Sequence, residues 1–315
     1  MHPALSIIFF TTASGAGFAL LLLLGIGAPL GLVPLNPGFA VLSLVLAALL
    51  AAGGLASSAL HLGRPERALR ALSQWRSSWL SREGLFAVVT VLPAAVFAVG
   101  WVFFGATDGF VGLCGILAAV CSAATVYSTG MIYASLKPIR QWHNRWVVPN
   151  YLMLGAMSGL LLLHLVTRFW VARPLGTGLL TLAAILAAWW LKEAYWRSID
   201  GGAAASTVES ATGLGRRGAV RLLEPPHTEE NYLLKEMGFR IARKHATRLR
   251  LIARLAAFAV PALATVLALA TGGGAGIVLA LVAALSAGLG LVVERWLFFA
   301  EAKHTVMLYY GAEAV

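Results

Sequence analysis

The sequence predicts an all-α integral membrane protein, a bundle of about eight transmembrane helices with both termini on the cytoplasmic side. Three observations lead there. Of the 315 residues, 59% are hydrophobic and only 12% charged, roughly half the charge of a soluble domain. The mean hydropathy of +0.82 leaves too little polar surface to cover a water-soluble globule, so lipid must be the solvent for most of the chain. The apolar residues fall into eight runs that reach or approach the roughly 20 residues a helix needs to cross a bilayer.

Those runs are Ser6–Pro29, Gly38–Leu60, Leu85–Phe104, Phe110–Tyr133, Val147–Phe169, Leu175–Leu191, Leu251–Ala270 and Ala275–Val293. Each is rich in Ala, Leu, Gly and Val without the alternation of a membrane barrel, so helix is the consistent reading. The first run is too long for a signal-peptide core and has no Lys or Arg ahead of it, which makes it a retained span. The eighth could continue past Glu294-Arg295 through Trp296–Ala300; the two charges would then be partly buried and neutralise each other. Small residues such as Gly15, Gly17, Gly53, Gly54, Gly155 and Gly159 are expected at helix contacts. Cys114 and Cys121 are too few to hold an iron–sulfur cluster or a structural zinc.

Charge sets the orientation. All but Arg168 and Arg173 of the 24 Lys and Arg residues fall in loops two, four and six, their helix flanks, and the carboxyl tail. Positive residues remain in the cytoplasm, so those loops and both termini are assigned there. The net charge of +11 is thus a record of topology, and no recognition helix or stacking pattern accompanies it that would suggest nucleic acid. The chain is expected to be a single membrane domain over residues 1–315. Its one sizeable extramembrane segment is a long cytoplasmic loop, residues 192–250. Within that loop, residues 227–250 place Leu233, Met237, Ile241 and His245 on one stripe, with acids early and bases late as the helix dipole favours. Such an amphipathic helix could lie on lipid headgroups or dock a partner subunit.

The chemistry-bearing stretch is His61–Glu83, HLGRPERALRALSQWRSSWLSRE. A His at a helix end exchanges a proton near neutral pH, and a carboxylate at the same depth on the next helix can relay that proton to water. A quinone headgroup needs this combination, together with apolar walls for its tail. Arg64 and Arg67 could hold the carboxylate or contact a partner. Read without further context, the same residues are ordinary anchors at a membrane interface.

From MHPALSIIFFTTASGAGFALL through HLGRPERALRAL and WLSREG to NYLLKEMGFRIARKHA, the chain resembles the membrane anchor subunit of the dimethyl-sulfoxide reductase family over essentially its full length. The resemblance implies an eight-span anchor without haem or metal of its own, which exchanges electrons between membrane quinone (ubiquinone or menaquinone) and an iron–sulfur subunit. That subunit serves a molybdopterin catalytic subunit, so this chain would carry only the quinone site. The family's His-Leu-Gly motif, with an Arg six residues after the His and a Glu opening the next span, maps onto His61, Gly63, Arg67 and Glu83. The His and Glu are thereby implicated in quinone binding. Tyr133, on the same face, is a candidate hydroxyl donor. Arg70, Arg76, Lys137, Arg140, Lys235 and Arg240 are candidates for docking the partner.

Because that face carries the positive charge, the partner subunits are expected in the cytoplasm of a bacterium, with the anchor in its inner membrane. That is similar to the sulfite dehydrogenase branch, which passes electrons from sulfite to quinone. A quinol-oxidising anchor of a reductase is the alternative within the family. A transporter is the alternative outside it, although the span centres are nearly free of charge and no strong internal repeat supports it. For haem, only His61 and His304 share one depth, while His164 lies toward the other end. Trp75, Trp79, Trp142 and Trp146 are expected in an interfacial aromatic belt.

Overall fold

The computed structural model describes residues 4–59, 70, 72–201, 206–224, 226, 229, 231–237 and 241–315. Eight helices are long and apolar enough to span a membrane: α1 (Leu5–Gly27), α2 (Pro37–Ala59), α3 (Trp79–Phe104), α4 (Gly109–Ala134), α5 (Val147–Thr167), α6 (Leu175–Asp200), α7 (His245–Ala270) and α8 (Gly273–Ala300). The described residues contain no strand, only two isolated bridges. An all-helical membrane protein is thus what the apolar runs build.

Of the spans that outrun their apolar stretches, the third, sixth and eighth do so for identifiable reasons. The third begins at Trp79 rather than Leu85, because Ser78 caps it by accepting from Ser81 N–H and satisfies a backbone donor that would otherwise be orphaned. Arg82 then secures this first turn, donating to the carbonyls of Trp75 (2.8 Å) and Arg76 (2.7 Å) and lying 4.1 Å over the Trp79 ring. The sixth continues beyond Leu191 to Asp200 since Lys192, Glu193 and Asp200 each find a charged partner. Glu193 receives a forked pair of bonds from Arg254 (2.5 and 3.0 Å), and Asp200 receives one from Arg250 (2.5 and 3.0 Å). The eighth runs to Ala300, so Glu294 and Arg295 lie inside the helix and not at its end.

α1 and α5 form the centre. Their apolar windows are 61% buried, against 28–44% for the other six. α1 packs on α2, α4 and α5, while α5 also packs on α6 and α8. The helix pairs α3–α4 and α7–α8 close the two flanks. Lipid offers helices no hydrophobic reason to associate, so tight backbone approach has to hold the seams. At Gly54 a Cβ would come within 2.5 Å of Ser14 N, and at Gly17 within 2.4 Å of Ala51 N, which is why the α1–α2 seam requires glycine. Gly155 and Gly159 likewise lie against α1. A Cβ at Gly15 or Gly53 would meet nothing within 4 Å, so neither position requires glycine, although the Gly15 carbonyl itself lies against Gly155.

α7 contains one irregular turn, a π-helical stretch at Leu255–Ala259 just before Pro261. A proline ring clashes with the carbonyl four residues back and lacks the N–H that would bond it; widening the preceding turn relieves both. Phe258 emerges from this turn to stack on Trp189, with centroids 5.8 Å apart and planes 13° from parallel.

Loops four and six and the carboxyl tail meet at one end of the bundle. Ile139 bridges His304, Thr207 bridges Ala314, and Lys303 N–H donates to Gln141 Oε1 at 3.1 Å. In loop six the described helices are Val208–Thr212, Tyr232–Met237 and Ile241–Arg254, the last running into α7. Asn231 caps the second of these and donates through Nδ2 to the Tyr310 hydroxyl at 2.8 Å.

Candidate functional site

Glu83 is the fifth residue of α3, which places it roughly 6 Å along the axis from the helix start, and it is 3% exposed. Its Oε1 accepts a hydrogen bond from Thr129 Oγ1 on α4. Among the described residues no cation pairs with it, in contrast to Glu193, Glu294 and Glu301, each of which meets an Arg or Lys. An acid buried at this depth with a single hydroxyl partner is costly, which makes Glu83 the candidate functional group of this part of the bundle.

Thr129 also faces a cavity of about 20 Å³ between α1, α4, α5 and α8, room for one or two water molecules. Hydroxyls line one part of it: Thr11, Thr12 and Ser14 from α1, Thr129 from α4, and Tyr151 and Ser158 from α5; Arg295 and the apolar Val126, Leu154 and Leu291 form the rest with Gly15 and Gly155. Thr11, Ser14 and Ser158 donate to carbonyls one turn back on their own helices, which leaves their oxygens free to accept from a guest.

Behind Arg295 lies a buried ionic triad. Arg295 Nε donates to Glu294 Oε2 at 2.5 Å, and Lys192 Nζ pairs with Glu294 Oε1. Lys192, Glu294 and Arg295 are 1%, 0% and 4% exposed. The pair expected at the end of the eighth span is therefore fully interior, and Lys192 is not the loop-flanking topology charge that its position suggests. It stands within α6, two turns short of its end, with Nζ 4.1 Å from the Tyr195 ring centroid. Two cations against one anion give the triad a net charge of +1. Aromatic faces wrap it: Arg295 lies 4.2 Å over Tyr151, and Tyr151 stacks on Tyr133 at 5.6 Å.

Tyr133 is 8% exposed and packed edge-on by Trp142, Phe298 and Phe299. Trp142 is 3% exposed, and its indole N–H donates to the Phe298 carbonyl at 2.9 Å. Trp75 does lie at the surface, 47% exposed. Arg70, Arg76 and Lys137 are exposed and Arg140 is half-buried, Arg140 lining the polar cleft with Asp200, Arg250 and Glu301. His61, Gly63, Arg64, Arg67 and Arg240 lie outside the described residues, and Lys235 stands in the helix Tyr232–Met237. A larger apolar groove, about 270 Å³, runs beside the hydroxyl-lined cavity and shares Thr12, Ser158 and Leu291 with it. It is formed by α1, α5 and α8 with Leu50 of α2.

Two further histidines serve the fold. His304 Nδ1 accepts from Val306 N–H at 3.0 Å, capping a 3-10 turn, and partial burial lowers its proton affinity below that of an ordinary imidazole. His164 Nδ1 meets Thr177 Oγ1 at 3.0 Å, and its Nε2 accepts from Arg168 Nε at 3.2 Å. Arg168 in turn donates to the carbonyls of Ala268 and Thr271 at the end of α7. One of the two basic residues on the sparsely charged side is therefore a helix cap. Among the described residues no group of His, Cys, Asp and Glu could hold a metal ion.

The hydroxyl cavity and the third member of the triad are absent from a reading of the sequence alone. A Thr or Ser bonded to its own helix reads as neutral in a span, and nothing local to Lys192 names Glu294 as its partner.

Comparison with known proteins agrees with the architecture. The family model described as DMSO reductase anchor subunit (DmsC) matches residues 1–301. The chain is 35% identical, over 333 aligned positions that cover 100% of both proteins, to a sulfite dehydrogenase subunit of Allochromatium vinosum. No solved structure matches. An eight-span helical membrane protein that matches that model over nearly its whole length belongs to the family of DMSO reductase anchor subunits.

Proposed function

We propose that this chain is the quinone-reactive anchor of a molybdopterin/iron–sulfur oxidoreductase in a bacterial inner membrane, passing electrons from sulfite oxidation to the quinone pool. Family membership supports the anchor role, and full-length similarity to a sulfite dehydrogenase subunit supports the substrate branch. The basic loops two, four and six and both termini face the cytoplasm in this reading. An iron–sulfur subunit docks there on Arg70, Arg76, Lys137, Arg140, Lys235 and Arg240.

The observation that carries the reading is Glu83. It is an acid within the apolar bundle, about one turn from the start of α3, with a hydroxyl and no described cation beside it. A quinone, when reduced, takes up two electrons and two protons. Glu83 delivers protons at that site, and His61 hydrogen-bonds one ring oxygen. Arg64 and Arg67 hold the carboxylate or contact the partner in this reading, and the Tyr133 hydroxyl is a donor to the quinone. Apolar helix walls exclude bulk water, so that protons arrive through side chains and confined water.

Glu83→Gln and His61→Ala in the intact complex test this. Quinone-linked turnover in membranes is expected to fall at least 10-fold in each, on the scale of a lost general acid or base. Dye-linked sulfite oxidation by the catalytic subunits should be unchanged. Full quinone-linked turnover in both variants would remove the site. Sulfite-independent, quinol-driven reduction of another oxyanion by the purified complex would instead reverse the assigned direction.

A further inference from the structure

The Thr129 hydroxyl carries one hydrogen and faces two acceptors. It lies against Glu83 Oε1 and, at 3.0 Å, against the Thr125 carbonyl one turn back on α4. Both contacts are buried. A single donor between two acceptors has two arrangements. With Glu83 ionised, Thr129 donates to the carboxylate. With Glu83 protonated, the carboxyl donates to Thr129 Oγ1, and the Thr129 hydrogen turns to the Thr125 carbonyl, which would otherwise keep only its intrahelical bond. Each arrangement satisfies every group, so the proton can come and go without leaving a buried polar atom unpaired. On its other side Thr129 borders the hydroxyl-lined cavity, where Gly15 leaves open space.

We propose that Thr129 is the positioning residue for proton transfer at Glu83, a two-way hydrogen-bond switch through which protons pass between Glu83 and water in the adjoining cavity. This rests on the role assigned to Glu83 above. In the forward direction a cavity water that has taken up a proton from the aqueous side gives it to Thr129 Oγ1 as the Thr129 hydrogen passes to Glu83; the hydroxyl ends with one hydrogen, Glu83 gains one, and the water is left neutral. The other groups around the carboxyl are Tyr133 on α4 and Tyr151 on α5, both within its electrostatic reach, and Arg295 on α8 across the cavity. The described parts of α1 facing the cavity offer hydroxyls only, and His61, Arg64 and Arg67 lie outside the described residues.

The test uses the whole complex in membranes. Thr129→Val keeps the shape and removes the hydroxyl; Thr129→Ser restores it. Since a hydrogen bond to an ionised acceptor is about twice as strong as one to a neutral group, the pH profile of quinone-linked turnover should move up by about one pH unit in Thr129→Val. It should return in Thr129→Ser. The carboxyl C=O infrared band, identified by its loss in Glu83→Gln, should shift in Thr129→Val and exchange more slowly in D2O. Gly15→Ala, which fills the cavity without touching Thr129, should slow that exchange at an unmoved pH profile. An unshifted profile and band in Thr129→Val would overturn the inference while leaving Glu83 in place. Unaltered turnover in Glu83→Gln, by contrast, would remove the underlying reading itself.

Discussion

Replacing Glu294 by Gln would strand two cations, Lys192 and Arg295, inside the helix bundle. Both are within 5% of full burial, and each takes its charged partner from Glu294. Breaking a buried pair by removing one member costs about 3–5 kcal/mol, and two uncompensated charges place this variant at or above the top of that range. Lys192→Met is a different experiment on the same triad. It leaves the neutral Glu294–Arg295 pair, puts a similar apolar volume in the same space, and forfeits one charge-assisted bond and the contact with Tyr195. The expected loss is about 1–2 kcal/mol. Reversible denaturation of the purified chain in lipid–detergent micelles measures both, and the ratio matters more than either value. Equal losses, or a larger loss for Lys192→Met, would show that net charge does not govern this cluster.

Two further outcomes follow from the same geometry. Gly54→Ala drives a Cβ into the Ser14 backbone and should destabilise by about 1–3 kcal/mol, as overpacking does. Gly15→Ala meets open space and should stabilise by about 0.5–1 kcal/mol through the lower chain entropy of alanine; thermal scans of the two variants side by side decide it. Glu301, just beyond α8, has its proton affinity raised above the ordinary carboxyl value of 4.5, because burial outweighs the pull of Arg250 2.8 Å away. Its contribution to stability is therefore complete below about pH 4.5 and is lost as pH rises through the higher folded value. The slope of stability against pH above 4.5 should flatten in Glu301→Gln, and an unchanged slope would assign it to another group.

The spans are legible in composition because a lipid solvent permits only one kind of backbone, and any run of about twenty apolar residues must then be a helix. Ends are less so. Ser78 caps α3 ahead of Arg82 and Glu83, and hydropathy alone discounts a turn that contains charges. Lys192 is illegible for a related reason: a lysine next to an apolar run looks like an anchor until its partner on a distant helix is known. Glu294 and Arg295 are partly readable, since an adjacent acid and base inside an apolar stretch can neutralise each other. For Glu83 the residues alone suggest an interfacial acid, and only the family pattern gives it a role. The convergence of Thr11, Ser14, Thr129 and Ser158 on one cavity depends on the rotation of three helices about their axes, which no single stretch of sequence encodes.

The wide turn at Leu255–Ala259 bears on how this gene can change. A helix that carries one surplus residue can lose it and become regular, but everything beyond the deletion then rotates by about 100° and moves by about 1.5 Å relative to the rest. Here the half that would swing holds Arg250 and Arg254, the partners of Asp200, Glu301 and Glu193. The other half stays fixed by Pro261 and Ala264. A one-codon deletion within this Leu-Ala-Ala-Phe-Ala segment would thus unlatch the Ile241–Arg254 stretch from the bundle, whereas an apolar exchange at the exposed Leu255 would leave those ion pairs in place.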